Sequence, residues 1–558
     1  MHRLSSGQEP ERGRYIPADA SVPLAPRVST AASLTPSRLR SLVGRVSVDR
    51  AAWILVWSIL IVRVALSMYR ISRPGLQADE TLFVNAATLR IPGEFVQYSI
   101  HGIPILLSPY IGALKSWIYA PIFTLFGNSA LTIRLPVVVI TTAGLPLLYM
   151  AVRDLVSRPV ALLAVAVLSF DNSLFWLTRD DVGPNAIEFF LMCAALFCCA
   201  RLVRDRRQRW IWLLLVALAL GVFNKLNFIW TVNAALVASA VVVLRYRTSL
   251  RANWRLAATW VAGLAAIYAG FGAYYLGDKI GSLNQPVRHG SVLAFTWPQF
   301  EQGTKQILSG TWFLDYALTP TNPRIPVVVV VVVLFAVGAV ASVVPARTRS
   351  LPMVCMAFVT VFTSVQILFT VQATAGWHYI VIYPFVMIVA SYGAWTLARA
   401  VLRRERWVSV ALAAVAIVVV SYDGILMAKY FRALKVEPHF SPWTPAIYDL
   451  SDYLRHTNGT VVVADWGIYD SLLALDPSRR YSDDQFAFVS SDPASLKSAD
   501  DLIAALPGPK LIVTHADGKL VFPTVNADLR KAEAGHVGLV RTVPGADGKP
   551  MYLVYRYR

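Results

Sequence analysis

Charged residues are scarce in this chain. Only 15% of its 558 residues are Asp, Glu, Lys or Arg, whereas 56% are hydrophobic. Soluble domains carry about 25% charged residues, so the scarcity excludes an ordinary soluble protein. Apolar runs of about 20 residues recur along the chain, and each is long enough to cross roughly 30 Å of hydrocarbon as a helix. The sequence therefore predicts a polytopic α-helical membrane protein.

Cysteine is also rare, and other features are missing altogether. The four cysteines lie inside apolar runs, where we expect small buried hydrophobes and neither disulfides nor a metal site; they are Cys193, Cys198, Cys199 and Cys355. No internal repeat is visible. Residues 1–50 contain no apolar stretch typical of a cleaved signal peptide. We therefore expect residues 1–50 to be a disordered basic cytoplasmic tail, followed by an uncleaved membrane anchor.

The net charge of +19 is distributed in a way that argues against nucleic-acid binding. Arg is concentrated in the tail and in short loops such as "VRDLVSR", "RLVRDRRQR" and "ARAVLRRER", which fall on the cytoplasmic side when spans are counted from a cytoplasmic tail. The opposite loops, "TRDDVGPN", "NKLN" and "VQATAGWH", hold one cation or none apiece. The pattern predicts about eleven spans, at 52–69, 131–150, 160–177, 186–202, 210–223, 228–244, 256–276, 326–344, 351–371, 379–397 and 407–426.

Three longer segments are then expected outside the membrane. Two are external loops, at residues 70–130 and 277–325, of a transmembrane domain that covers residues 51–429. The third is residues 430–558, where "TVVVAD", "KLIVTH" and "MYLVYRY" indicate buried strands between helical stretches such as "SPWTPAIYDLSDYLRHT". We expect a small extracytoplasmic (periplasmic or extracellular) α/β domain there.

Two short acidic segments lie at the predicted outer face. They are "GLQADETLFVNA" and "WLTRDDVGPNA", which contain Asp79, Glu80, Arg179, Asp180 and Asp181. About a hundred residues separate the segments, but both follow spans that end on the same side. A Gly-Pro turn that follows the two aspartates in the second segment would hold them in fixed positions. We therefore expect the two segments to converge.

Cations and histidines accompany the acids on that side. Lys115 lies in "GALKSW", Lys225 in "FNKLN", His101 in "YSIHGIP" and His378 in "GWHYIVIYPF". An external face with carboxylates, cations and imidazoles above a wide apolar body suits an amphiphile with an anionic head. A phosphate on a long lipid tail has that chemistry.

The same stretches carry a family resemblance. "ADETLFVNA" resembles the Asp-Glu motif in the first external loop of GT-C fold glycosyltransferases, and "RDDVGP" resembles their second acidic motif. "GALKSWIYAPIFTLFGNSALTIRLP" is similar to the same region of the protein O-mannosyltransferase-like and aminoarabinose-transferase-like branch. The resemblance covers roughly residues 50–400. It implies a GT-C-like fold and a membrane glycosyltransferase that uses a polyprenyl-phosphate-linked sugar at the outer face of the cytoplasmic (inner) membrane.

The chemistry of such an enzyme assigns expected roles. No nucleotide sugar is supplied outside the cytoplasm, and a lipid phosphate leaves readily once Lys or Arg meets its charge. One carboxylate base on the acceptor hydroxyl then suffices, and the resemblance implies that Asp79 is this base and that transfer inverts the anomeric centre. The other acids would raise a carboxylate pKa toward a useful range; they are Glu80, Asp180 and Asp181.

Further partners follow from the same reading. The candidates for the donor phosphate are Lys115, Arg179 and Lys225, and those for other substrate contacts are His101 and His378. Whether a divalent metal takes part stays open; if one does, Glu80 and Asp181 are the candidate ligands. The acceptor is a lipid, a glycan or a protein hydroxyl, the surroundings are a lipid bilayer, and no nucleic acid is expected.

Simpler explanations exist for each candidate. The acidic pair of the first segment could cap a helix, and the second could be a loop paired with its own Arg179. Lys115 and Lys225 could anchor or snorkel at the interface, and His378 could belong to an aromatic belt.

For the whole protein, the alternatives are a flippase or transporter of a lipid-linked glycan, a glycan ligase and an inactive scaffold. Transporters keep ionisable groups near the bilayer midplane and show repeats. The predicted spans lack these features apart from Arg63, and a ligase does not depend on an Asp-Glu first loop. The intact acidic segments make an inactive scaffold less attractive.

Overall fold

The computed structural model describes residues 36–88, 96–108, 110–245, 254–273, 294–317, 321–344, 350–371, 375–436, 443–484 and 487–558. The chain divides into two compact units, residues 1–53 and 54–558. Most of the predicted basic tail, residues 1–35, lies outside the described residues. The first helix begins at Pro36, so residues 36–50 are helical.

Helices dominate the first part of the chain. In order they are α1 Pro36–Met68, α2 Ala78–Asn85, α3 Leu114–Phe126, α4 Ala130–Leu155, α5 Arg158–Phe170, α6 Asn172–Leu177, α7 Asn185–Asp205, α8 Gln208–Asn224, α9 Ile229–Arg245, α10 Trp254–Phe271, α11 Trp297–Leu308, α12 Trp312–Ala317, α13 Ile325–Val343, α14 Leu351–Leu368, α15 Tyr383–Val401 and α16 Glu405–Val436. Short 3-10 turns lie at Ala86–Thr88, Leu226–Phe228 and Gly376–Val381.

The described helices include seven that are long and apolar enough to cross a membrane, namely Asp49–Met68, Ala130–Leu155, Asn185–Asp205, Ile325–Val343, Leu351–Leu368, Tyr383–Val401 and Glu405–Lys435. Shorter apolar helices lie at Arg158–Phe170, Gln208–Asn224 and Leu226–Ala240. Each predicted span overlaps one of the described helices. The polytopic helical fold is confirmed, while the count of eleven crossings and their orientation stay predictions.

Local sequence explains where several of these helices begin and pack. Ser129 caps α4 with a reciprocal capping box that involves Thr132, which satisfies amide groups that the first turn leaves free. Helices α13 and α15 cross through Gly338 and Gly393: a Cβ on Gly338 would lie 2.2 Å from the Val389 carbonyl oxygen. Small residues at such a crossing let two membrane helices approach backbone to backbone.

The segment between α2 and α3 contains a small sheet. Strands β1 Tyr98–Ile100, β2 Ile103–Ser108 and β3 Ile111–Gly112 form an antiparallel sheet in the order β1-β2-β3. Ile111 also forms an isolated bridge with Lys225. This bridge attaches the small sheet to the turn between α8 and α9.

The C-terminal residues form an α/β domain, as predicted. Its elements are α17 Ala446–Arg455, β4 Thr460–Val463, α18 Tyr469–Leu475, β5 Tyr481–Asp483, α19 Pro493–Ala505, β6 Lys510–His515, α20 Val525–Ala532, β7 Val537–Pro544 and β8 Pro550–Tyr557. The strand order is β5-β4-β6-β8-β7. The pairs of β4 with β5 and β6 are parallel, and those of β8 with β6 and β7 are antiparallel.

Alternation along β4 gives this sheet two covered faces. Val461 and Val463 belong to a core with Leu450 and Leu472 of α17 and α18, whereas Val462 faces a second core formed with α19 and α20. Successive side chains of a strand point to opposite faces, so the apolar run "TVVV" is buried on both sides. The first of these cores also contains residues of α2, α3 and α4, so the C-terminal domain packs directly on these helices.

Candidate functional site

The two acidic segments meet in the structure. Asp79 and Glu80 occupy the first turn of α2, where the helix dipole favours negative charge. The Gly183 amide donates a hydrogen bond to the Asp79 main-chain oxygen at 3.3 Å. The predicted convergence of residues that are about a hundred positions apart is therefore confirmed.

Glu80 lies in a buried ion-pair network. Arg134, at the start of α4, donates from Nε to Oε1 of Glu80 at 2.6 Å and from Nη2 to Oε2 at 2.7 Å. Its Nε also lies 3.4 Å from Oδ1 of Asp180. All three side chains are at most 1% exposed. Arg134 therefore neutralises one carboxylate from each acidic segment.

Sequence reasoning missed Arg134. It stands at the head of an apolar run, where a cation is typical of a membrane interface. Its guanidinium also donates to the main-chain oxygens of Ile71, Pro74 and Gly75, so it shapes the segment that leads into α2. The only local signal was the presence of a cation close behind "GALKSWIYAPIFTLFG" on the side of the acids.

Arg179, a predicted contact of the donor phosphate, makes structural contacts. Its guanidinium donates to the main-chain oxygens of Ser67, Tyr69, Arg70 and Arg73 and, at 2.7 Å, to Oδ1 of Asp180. An arginine has five N–H donors, and these five bonds engage all of them. The arrangement leaves no donor for a phosphate, because each is committed to the segment that follows α1 or to Asp180.

Asp181 and Lys115 form the second buried ion pair. Lys115 Nζ lies 2.7 Å from Oδ2 of Asp181, and both side chains are 1% exposed. Oδ1 of Asp181 accepts a hydrogen bond from the Ala186 amide at 2.9 Å, which holds the start of α7. Asp181 adopts a left-handed backbone conformation with φ of 41°, a region in which aspartate is enriched among non-glycine residues.

Asp79 differs from the other three acids. Its side chain is partly exposed, whereas Glu80, Asp180 and Asp181 are buried. Gln77 Nε2 lies 3.4 Å from Oδ2 of Asp79, and the Tyr316 hydroxyl is a further hydrogen-bond partner.

The surroundings of Asp79 also tune its acidity. Burial raises the pKa of the Asp79 carboxyl above its ordinary value of 3.8, while the Gln77 hydrogen bond, the charge of Lys225 and the Tyr316 hydrogen bond act in the opposite direction. Such a carboxylate suits a general base, whose best pKa lies near the working pH.

Lys225 lies beside this carboxylate in the turn between α8 and α9. Its Nζ is 3.1 Å from Asn185 Oδ1 and 3.5 Å from the Trp377 main-chain oxygen, and the nearest Glu188 oxygen is 3.9 Å away. Burial lowers the pKa of Lys225 below its ordinary value, although the charges of Glu188 and other acids oppose this. Lys225 therefore holds a less tightly paired positive charge than Lys115.

His378 lies in the same region. Trp377 Nε1 donates a hydrogen bond to Nε2 of His378 at 3.1 Å, which assigns the proton to Nδ1. That buried Nδ1 finds no hydrogen-bond partner among the described residues. Burial, with the charge of Lys225, holds the pKa of His378 well below its ordinary value of 6.5. A neutral imidazole with a free N–H remains available to a ligand oxygen.

Aromatic rings border this part of the site. Tyr316 stacks on Trp312 with centroids 5.2 Å apart, and its ring lies 5.7 Å from that of Trp377 and 5.9 Å from that of Trp443. The sequence does not single out these rings as parts of a site. Only the folded chain reveals that Tyr316 contacts Asp79.

Two other predictions receive less support. His101 is exposed at the tip of the hairpin between β1 and β2, outside the buried ion-pair network. Among the residues that the structure describes, no group of three or more His, Cys, Asp or Glu side chains is arranged to hold a metal ion. Glu80 and Asp181, the candidate ligands, are already paired with Arg134 and Lys115, so the residues present do not fit a metal site.

The sequence matches one known family over part of its length. Residues 112–269 match the family described as dolichyl-phosphate-mannose-protein mannosyltransferase. This region contains Lys115, Arg134, both aspartates of the second segment and Lys225. No curated protein matches the sequence.

Solved structures share the architecture of nearly the whole chain. The crystal structure of ArnT from Cupriavidus metallidurans in the apo state has a TM-score of 0.54 at 13% identity, with 91% of this chain and 98% of that chain covered. The same protein bound to undecaprenyl phosphate gives 0.55 at 14% identity, with 89% and 97% covered. The oligosaccharyltransferase of Archaeoglobus fulgidus in complex with Zn and sulfate gives 0.50 at 13% identity, with 87% and 71% covered. The chain therefore has the GT-C fold that its sequence predicts.

Proposed function

We propose that the protein is a glycosyltransferase that moves a sugar from a polyprenyl phosphate to an acceptor, with Asp79 as general base. One observation carries the assignment of the base. Of the four acids, Asp79 alone is partly exposed and forms no ion pair within the described part of the chain. The bound undecaprenyl phosphate in ArnT supports the class of donor.

The reaction follows from this arrangement. Asp79 accepts the proton of the acceptor, which is a hydroxyl or a similar nucleophile. At the same time the nucleophilic atom of the acceptor attacks the anomeric carbon of the donor sugar. The bond between that carbon and the phosphate oxygen breaks, and the electron pair stays on the polyprenyl phosphate. A single displacement of this kind inverts the anomeric centre. A general base of this type contributes about 10²–10⁴-fold to the rate.

Lys225 and His378 are the proposed contacts of the departing phosphate. Lys225 is a buried cation whose nearest carboxylate oxygen is 3.9 Å away, and the His378 Nδ1–H is free to donate within the described residues. Charge placed where the leaving group develops its own charge stabilises the transition state. Lys115 is a weaker candidate because Asp181 already pairs with it at 2.7 Å.

Glu80, Asp180 and Asp181 then act mainly through position. Arg134 joins Glu80 to Asp180, and the pair of Lys115 with Asp181 holds the second segment. These buried pairs fix the backbone on both sides of Asp79. We place the site at the outer membrane face, with a cytoplasmic N terminus and an extracytoplasmic C-terminal domain; the alternation of Arg-rich loops supports this orientation.

The product distinguishes this function from the flippase alternative. Mass spectrometry should compare glycolipids and glycoproteins of cells that lack the gene with those of cells that express the wild type, Asp79→Asn or Asp501→Asn. Asp501 is an exposed aspartate of α19 and serves as the matched control. A glycosylated product should require the gene and be lost only with Asp79→Asn. Transport of an unchanged lipid-linked sugar with no new glycoside would contradict the proposal.

A further inference from the structure

The C-terminal domain contacts the helix that carries Asp79. Helix α18 packs on α2, and two hydrogen bonds connect them. Ser471 Oγ donates to the Leu76 main-chain oxygen at 3.1 Å. Asn85 Nδ2 donates to the main-chain oxygen of Asp470 at 3.0 Å and to its Oδ1 at 3.3 Å. The C-terminal domain therefore holds α2 just before its first residue and at its last.

The same domain also reaches the other side of Asp79. Trp443, which is fully buried, packs edge-on against Tyr316 with ring centroids 5.9 Å apart, and Tyr316 is a hydrogen-bond partner of Asp79. The backbones approach closely as well, because a Cβ on Gly75 would lie 1.9 Å from the Thr444 main-chain oxygen. Asp79 is thus fixed between two elements that both rest on this domain.

The pair of Asn85 and Asp470 is unusual within this contact. Asn85 is buried, with 2% of its surface exposed, and Asp470 is half-buried. Burial, together with the nearby carboxylate of Asp483, raises the pKa of Asp470 to about 8. An acid in a buried contact costs stability unless it is bonded. An apolar contact would join the two surfaces without this cost, so the polar pair specifies one register of α2 on α18.

We propose that the C-terminal domain is a positioning element of the site, and that the pair of Asn85 and Asp470 sets the register of the helix that carries Asp79. The inference rests on the proposed transferase activity. It assigns to this domain a part in the reaction that does not depend on binding the acceptor. Asn85 and Asp470 are positioning residues, since they act through α2 and touch no reacting atom.

The test exchanges the two side chains of the pair. Asn85→Asp removes the donor and sets a carboxyl against the oxygens of Asp470, whereas Asn85→Asp combined with Asp470→Asn restores an amide opposite a carboxyl. Misplacement of a reacting group by about 1 Å can cost about 10²-fold. We therefore expect kcat for transfer to fall about 10- to 100-fold in the single variant, while KM for the donor changes less than about 2-fold. The double variant should keep at least about a tenth of the wild-type kcat.

Asn526→Asp is the matched control. Asn526 is 1% exposed, and its Nδ2 likewise donates to a main-chain oxygen, that of His515 at 3.0 Å, and to a carboxylate, that of Asp517 at 2.7 Å. It lies in the C-terminal domain but makes these bonds within that domain. The control should keep its kcat. An equal loss in Asn526→Asp would overturn the proposal, because it would assign the effect to general damage of the domain.

A second readout does not depend on transfer. Amide hydrogen exchange of residues 76–88 should be faster in Asn85→Asp and return toward the wild-type rate in the double variant, with no substrate present. Unchanged exchange and unchanged kcat in Asn85→Asp would overturn the positioning role while Asp79→Asn remains inactive. Full activity of Asp79→Asn would instead overturn the proposed function, so the two failures are distinguishable.

Discussion

The buried pair of Arg134 and Glu80 predicts an unequal effect of two similar substitutions. Arg134→Met leaves Glu80 without its cation and removes the donors to three main-chain oxygens. Glu80→Met leaves Arg134 bonded to those oxygens and 3.4 Å from Asp180. Breaking a buried pair costs about 3–5 kcal/mol, and each carbonyl that loses its partner adds about 1–3 kcal/mol. Arg134→Met should therefore be the more destabilising variant, by at least about 3 kcal/mol if all three carbonyls stay unpaired.

The double variant tests the same reasoning by a cycle. Removing both partners takes away the uncompensated charge but not the unpaired carbonyls, so Arg134→Met with Glu80→Met should cost less than the sum of the single changes by roughly 1–3 kcal/mol. The free energy of unfolding is measured in mild detergent by chemical denaturation followed by tryptophan fluorescence. Equal losses in the two single variants, or additive losses in the double, would refute the assignment of Arg134 as the bridge between the acidic segments.

Two further predictions concern the reacting groups. Because burial raises the pKa of Asp79 and a base must be ionised, the rate of transfer should fall as pH falls, with a midpoint above 3.8. Tyr316→Phe removes a hydrogen bond that lowers this pKa, so the midpoint of the pH–rate profile should move upward. An unmoved or lower midpoint would count against the contact between Tyr316 and Asp79. Lys225→Met should weaken binding of undecaprenyl phosphate to the purified protein at least about 10-fold. Lys115→Met should mainly lower the stability of the protein, because it leaves the buried Asp181 without its cation. A larger loss of affinity in Lys115→Met than in Lys225→Met would reject Lys225 as the phosphate contact.

The features that sequence reasoning predicted well depend on local pattern. The apolar runs predicted the helices, and the doubly buried strands of the C-terminal domain were readable from "TVVVAD" and "KLIVTH". The side of the membrane on which loops fall was enough to predict that the two acidic segments converge.

The pairing of charges could not be read in the same way. Arg179 looked like a free cation because its acceptors are main-chain oxygens at the end of α1, which no side-chain pattern marks. Arg134 was not singled out, because it stands at the head of an apolar run. The contact between Asn85 and Asp470 joins residues 385 positions apart, so it depends on how the C-terminal domain docks. Three-dimensional packing, and not residue type, determines which charged side chains form structural ion pairs and hydrogen bonds.

Asp79 is the centre of the functional account, and one rate comparison tests it most directly. Purified wild type, Asp79→Asn and Asp501→Asn should be assayed for transfer of a labelled sugar from undecaprenyl phosphate to membranes of cells that lack the gene. We predict that Asp79→Asn transfers about 10²–10⁴-fold more slowly while it still binds undecaprenyl phosphate and unfolds no earlier than the wild type. Transfer by Asp79→Asn at the wild-type rate would contradict the assignment of the base.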